Sequence, residues 1–177
     1  MDKIFKKCAI DYDFNFIYGL DWNIDKTLYL DLKKKENILT IQKYGNYPDS
    51  LNDENTYIYQ KFFNTDEIDY KTLGKQVNID IHTLSVIKQR PGTMIPIHHD
   101  AFFRLAQKFP KLSDKAVRAN IFLEDWVWGQ FFQIEDVNPE SWVKNTGYIF
   151  NNKVIHSSAN ASFTDKYTLQ LTGFLNE

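Results

Sequence analysis

The period of the hydrophobic pattern changes along the chain. In the C-terminal part, apolar and polar positions alternate in short runs over 78–89, 94–100, 117–124, 130–135, 147–156 and 166–174, the period of half-buried strands. Turn residues close these runs, among them Pro91-Gly92, Trp128-Gly129, Asn138-Pro139 and Asn151-Asn152. One stretch breaks the pattern: Phe102, Leu105, Ala106 and Phe109 fall at helical spacing before Pro110, which predicts a short helix inserted between strands. So many short strands in so few residues predict a mainly β sandwich or jelly roll with flanking short helices.

The first third is less regular. Short runs rich in Tyr, Phe, Ile and Thr at 4–5, 14–20, 27–32, 38–41 and 57–63 predict strands or ribbons, and 44–55 reads as a long loop. A helix is expected over 66–74, capped by Asp66 and closed by Gly74. This third carries no chemical motif. It is expected to pack on the remainder as accessory strands and loops (1–76) around a core (77–175), all within one domain of 177 residues.

Two strands have a polar face. Arg118, Asn120 and Phe122 lie opposite Val117, Ala119, Ile121 and Leu123; Lys166, Thr168, Gln170 and Thr172 lie opposite Tyr167, Leu169 and Leu171. Such faces meet water in an open antiparallel sheet, and point inward in a barrel that holds a polar ligand. The pattern is the same in both cases.

Composition narrows the function. Hydrophobic residues at 43% and aromatics at 16% are enough for a packed core. A net charge of -2 and a pI near 6.1 favour neither nucleic acid nor anionic membrane as a partner, and Lys33-Lys34-Lys35 is too short a run to alter that. Cys8 is alone, so neither a disulfide framework nor a cysteine zinc site is available. The N-terminus is charged and no run of 18 apolar residues occurs, so the chain reads as soluble and cytoplasmic.

The candidate chemistry lies in 90–100, Arg-Pro-Gly-Thr-Met-Ile-Pro-Ile-His-His-Asp. On a strand, His98 and Asp100 share a face and His99 takes the other, unless a bulge exchanges His99 with His98. With His156, one of only four histidines, they make a 2-His-1-carboxylate set of the kind that holds non-haem Fe(II) and leaves positions open. Neither a Gly-x-Ser-x-Gly, nor a phosphate-cradling glycine loop, nor a His-Glu-x-x-His is present. Asn120 is a candidate donor to a cosubstrate or substrate, Arg118 for an anionic substrate group or a surface ion pair. Trp126, Trp128 and Trp142 either wall a cleft or fill core.

In order, His98-x-Asp100, then His156, then Lys166 ten positions on resembles the 2-oxoglutarate and Fe(II)-dependent oxygenases. The segment Gly92 to His98, and His156-Ser-Ser-Ala-Asn160 followed by Lys166-Tyr-Thr-Leu-Gln-Leu-Thr-Gly173, resemble a microbial and phage-type branch related to the aspartyl/asparaginyl hydroxylases. The resemblance covers 78–175. It implies a double-stranded β-helix, with Fe(II) on His98, Asp100 and His156, and 2-oxoglutarate and O2 as cosubstrates. It also implies that Lys166 and Thr168 hold the far carboxylate of 2-oxoglutarate; apart from the resemblance, Asn120 is the further candidate for that cosubstrate, and Arg118 and Trp126 are the candidates for contact with substrate. Lysine stands where this branch more usually has arginine, replacing a bidentate fork with a point charge. The implied activity is hydroxylation of an unactivated C–H bond on a small molecule or a protein side chain, giving succinate and CO2. Two other readings use the same residues: a cupin-like metal protein without 2-oxoglutarate, and a non-catalytic β-sandwich binding module.

Overall fold

The computed structural model describes residues 2–28 and 43–176. The expected strand at 38–41, most of 27–32 and the lysine run at 33–35 lie outside the described residues. Ten strands are described: β1 (Phe5–Ala9), β2 (Lys26–Leu28), β3 (Tyr57–Phe63), β4 (Ile79–Gln89), β5 (Thr93–His99), β6 (Ala116–Phe122), β7 (Gln130–Ile134), β8 (Thr146–Asn151), β9 (Ile155–Asn160) and β10 (Lys166–Leu175). They form two antiparallel sheets, one in the order β1-β8-β6-β10-β4-β3-β2, the other β5-β9-β7. The two sheets make a sandwich.

Alternation decides what each face of the larger sheet covers. Leu169 and Leu171 of β10, Val117, Ala119 and Ile121 of β6, and Leu84 and Val86 of β4 point outward into the main core. There they meet Phe14, Ile17 and Trp22 from the N-terminal segment and Leu73 and Val77 of helix α1 (Tyr70–Val77). Full burial stabilises each large apolar side chain by about 1.5–3 kcal/mol. The opposite face, with Arg118, Asn120, Thr168, Gln170 and Thr172, therefore looks into the sandwich. A second apolar cluster of Phe122, Phe132, Ile134, Tyr148, Phe150 and Val154 joins the two sheets at one end.

Several local expectations shift. The apolar run 14–20 forms a 3-10 turn (Asn15–Gly19), not a strand, and buries Ile17 under the sheet. Helix α1 begins beyond Asp66: Asp69 accepts from Thr72 N (3.0 Å) and Thr72 Oγ1 (2.7 Å), and Asn78 in the left-handed region closes the helix. Gly74 falls inside the helix, where a Cβ would meet the carbonyl of Ile79. The run 147–156 divides at a turn, with Val154 N donating to Asn151 O (3.1 Å). That turn carries the chain from β8 in one sheet to β9 in the other. In the N-terminal part, β1, β2 and β3 are hydrogen-bonded members of the larger sheet, while the 3-10 turn Asn15–Gly19 and α1 pack over it.

Candidate metal centre

Strand β5 is irregular at the point that matters. Ile95 pairs with Ser158 but His98 pairs with His156, so three steps on β5 match two on β9. The extra residue is a β-bulge, and it contains Pro96, which has no N–H to give to the ladder. Before the bulge Thr93 and Ile95 are buried; after it His98 and Asp100 are, and Ile97 is exposed. The strand thus changes parity, and His98 lands directly opposite His156. As expected from the spacing, His99 lies on the other side of His98 and pairs with Ile155. Just past Asp100, Phe102 takes a left-handed conformation (φ 47°) that turns the chain into helix α2 (Phe103–Lys108). This is an uncommon conformation for a bulky residue, and burial of its ring with Leu105 and Ala116 holds it there.

His98, Asp100 and His156 are 4%, 2% and 5% exposed. One ligand atom from each lies within 4.8 Å of the others. His98 Nε2 is 3.7 Å from Asp100 Oδ1, and His156 Nε2 is 3.8 Å from Asp100 Oδ2. Donors about 2.1 Å from one common ion stand about 3–4 Å apart, so the set fits a single metal ion. The Pro96 carbonyl is 2.8 Å from His98 Nδ1, which places the ring proton there and turns the Nε2 lone pair toward the other two ligands. The His156 ring packs on Phe150 (4.6 Å between centroids). Burial, and then the neighbouring His98, hold His156 well below the usual histidine range, so it is neutral and able to ligate.

These three residues form part of the wall of a cavity of about 420 Å³ between the sheets. Arg118 reaches into it from β6. Its Nη1 is 2.8 Å from Asp100 Oδ2 and its Nε donates to Thr172 Oγ1 (2.9 Å). This arginine is therefore engaged in orienting the carboxylate. Arg118→Leu is expected to leave Asp100 buried without its cation and to destabilise the metal-free protein by about 3–5 kcal/mol. A melting temperature unchanged within error would contradict this.

Lys166, 2% exposed, begins β10. Its Nζ donates to Phe131 O (2.6 Å) and Ser158 Oγ (2.7 Å) and is surrounded by the rings of Trp142, Phe122 and Phe132 at 5.0–6.0 Å. Ser158 passes the chain of hydrogen bonds to Gln89 Oε1 (2.7 Å). Ser158, Gln89, Phe132 and Thr168 line the cavity, and Lys166 sits one residue behind that wall. Burial pushes its ammonium down to about 7, with no acidic group among the described residues acting on it. Asn120 also lines the cavity, and its buried Oδ1 has no hydrogen-bond partner among the described residues.

Trp126 is placed elsewhere. Its Nε1 donates to Gln130 O (2.9 Å) beside Trp128, and it is not part of the cavity wall, because the turn after β6 carries it to the edge strand β7. Trp142 stacks on Phe122 (4.1 Å, 17°) as part of the second cluster. Sequence reasoning did not single out Arg104, Gln60 or Gln89 as wall residues. For Gln60 and Gln89 a signal existed: each is a polar position in a strand otherwise rich in Ile, Val and Phe.

No protein-family model matches the chain, and no curated protein matches it. Solved structures do. The non-heme α-ketoglutarate-dependent epimerase SnoN from nogalamycin biosynthesis is similar over 97% of this chain and 76% of its own, with 11% identity and a TM-score of 0.57. EvdMO1 is similar over 97% of this chain and 47% of its own, with 12% identity and a TM-score of 0.50. At such identities the likeness is one of fold: a double-stranded β-helix, here with a buried His-Asp-His set that fits a metal ion.

Proposed function

We propose that this protein is a 2-oxoglutarate- and Fe(II)-dependent dioxygenase that hydroxylates an unactivated C–H bond. One observation carries the reading: the buried triad shares its cavity with the wall in front of Lys166, a buried amine that no acidic side chain among the described residues answers. An uncompensated buried charge is costly, and a cosubstrate carboxylate would compensate it. Fe(II) together with 2-oxoglutarate and O2 supplies the oxidising chemistry, with succinate and CO2 as coproducts.

The chain's own residues bind and orient. His98, Asp100 and His156 would hold the iron, and Arg118 fixes the Asp100 carboxylate. Lys166 attracts the far carboxylate of 2-oxoglutarate, to which the Thr168 hydroxyl and the Asn120 amide contribute hydrogen bonds. Phe132 and Phe150, packed around His156, keep that side of the site dry. The runner-up is a cupin-like metal protein without 2-oxoglutarate. It is favoured by the two hydrogen bonds that Lys166 already makes within the wall.

Anaerobic titration of the metal-free protein with Fe(II), then with 2-oxoglutarate, separates the readings. The expected result is the weak visible charge-transfer band of an Fe(II)–2-oxoglutarate chelate. Iron uptake without the band would favour the cupin-like protein, and absence of iron uptake would leave a binding module.

A further inference from the structure

Three charged side chains line the cavity among the described residues: Asp100, Arg118 and Arg104. The first two are bound to each other. Arg104, on α2, has no acidic partner among the described residues; its guanidinium lies over the Phe62 ring, 3.5 Å from the centroid. Stacked in this way, it keeps its edge N–H groups for a ligand. The segment 103–115 also carries Lys108, Lys111 and Lys115 against Asp114, so the approach to Arg104 is positive. One planar fork, with the other arginine of the wall bound to Asp100, matches a carboxylate rather than a phosphate.

Deeper in the same wall, Gln60 Nε2 donates to both Ser85 Oγ (3.0 Å) and Gln170 Oε1 (3.1 Å). These bonds fix both amides. They leave Gln60 Oε1 as an acceptor and Gln170 Nε2 as a donor, on two hydrogen-bonded residues that both line the cavity. A donor and an acceptor in that arrangement complement an amide. Gln60 and Phe62 are two positions apart on one face of β3, about 7 Å, so Arg104 and the glutamine pair can be reached by one molecule of amino-acid size.

We propose that the cavity takes a small carboxylic acid that also carries an amide, its carboxylate meeting Arg104 and its amide meeting Gln60 and Gln170. The proposal rests on the oxygenase reading and adds to it the class of substrate.

Binding is measured by calorimetry on the iron-free protein with N-acetylated amino acids, N-acetyl-leucine among them. The comparison ligands are their C-terminal carboxamides, 4-methylpentanoate, which lacks the amide, and an acetylated hexapeptide ending in the same residue. The acetylated acids are expected to bind at least tenfold more tightly than either the carboxamides or 4-methylpentanoate. Arg104→Gln should abolish the preference for acid over carboxamide, and Arg104→Lys should retain part of it. A preference that survives Arg104→Gln, equal binding of acid and carboxamide, or no binding by any acetylated acid would overturn the proposal. So would a hexapeptide that binds as tightly as the small acid. Succinate formation with Fe(II), 2-oxoglutarate and O2 is read separately. Acid binding through Arg104 without succinate keeps the anion site and removes the oxygenase reading, whereas succinate without discrimination overturns the anion site alone.

Discussion

Replacing His98 or His156 by alanine is expected to reduce bound Fe(II) from about one equivalent to background after anaerobic dialysis, as measured by metal analysis. Each imidazole would supply one of three protein donors among the described residues, and a site reduced to one histidine and one carboxylate does not offer three adjacent positions. The Asp100 carboxylate would still be held by Arg118, 2.8 Å away. Both histidines are buried between sheets, so each variant needs a far-UV dichroism spectrum to show that the fold persists. His99→Ala is the matching control. His99 lies outside the triad, paired with Ile155, and its removal should leave the iron content unchanged. Iron retained in both histidine variants would rule out this triad as the metal centre.

Lys166→Met is expected to do two opposite things. The dissociation constant for 2-oxoglutarate should rise by about 30-fold or more, because removing one partner of a buried charge pair costs about 2–5 kcal/mol and each 1.4 kcal/mol is tenfold. The metal-free protein should meanwhile become more stable at pH 7 and below, since the variant no longer buries an ammonium without an anion. The folded pKa of Lys166 is about 7, and that of an unfolded lysine about 10.4. Between these values the unfolded chain holds a proton that the folded chain lacks, so this group makes wild-type stability rise with pH. The penalty is complete below pH 7 and fades toward pH 10. The gap in melting temperature between the Met variant and wild type should therefore narrow as pH rises across that window. A constant gap would show that Lys166 is charged throughout, and an unaltered 2-oxoglutarate affinity would remove it from the cosubstrate site.

The buried triad was legible because its signal is short and local: a His-x-Asp on an alternating strand and a lone distal histidine. The bulge that brings His98 opposite His156 was not legible, because only the partner strand reveals a two-against-three mismatch. The polar faces of β6 and β10 left inward and outward readings open for the same kind of reason. Alternation reports that two faces differ, and only the layer formed by Phe14, Ile17, Trp22 and α1 decides which of them is covered with apolar groups. Arg118 illustrates a further limit. Its place in the strand was visible, but its engagement with Asp100 depends on a contact between the two sheets. The N-terminal strands were hardest to read, since β2 has three residues and takes its pairing from β3.

Those N-terminal strands have a consequence for how such a protein diversifies. The triad and Lys166 all come from between 98 and 166, whereas β2 and β3 bring Thr27, Ile58, Gln60 and Phe62 to the same cavity. The machinery that would activate oxygen and this part of the surface that would choose its target thus occupy separate addresses in one chain, while Arg104 and Gln170 reach the same cavity from later segments. Exchanging the segment 26–63 for a variant version would rewrite the choice of target while leaving every metal ligand in its place.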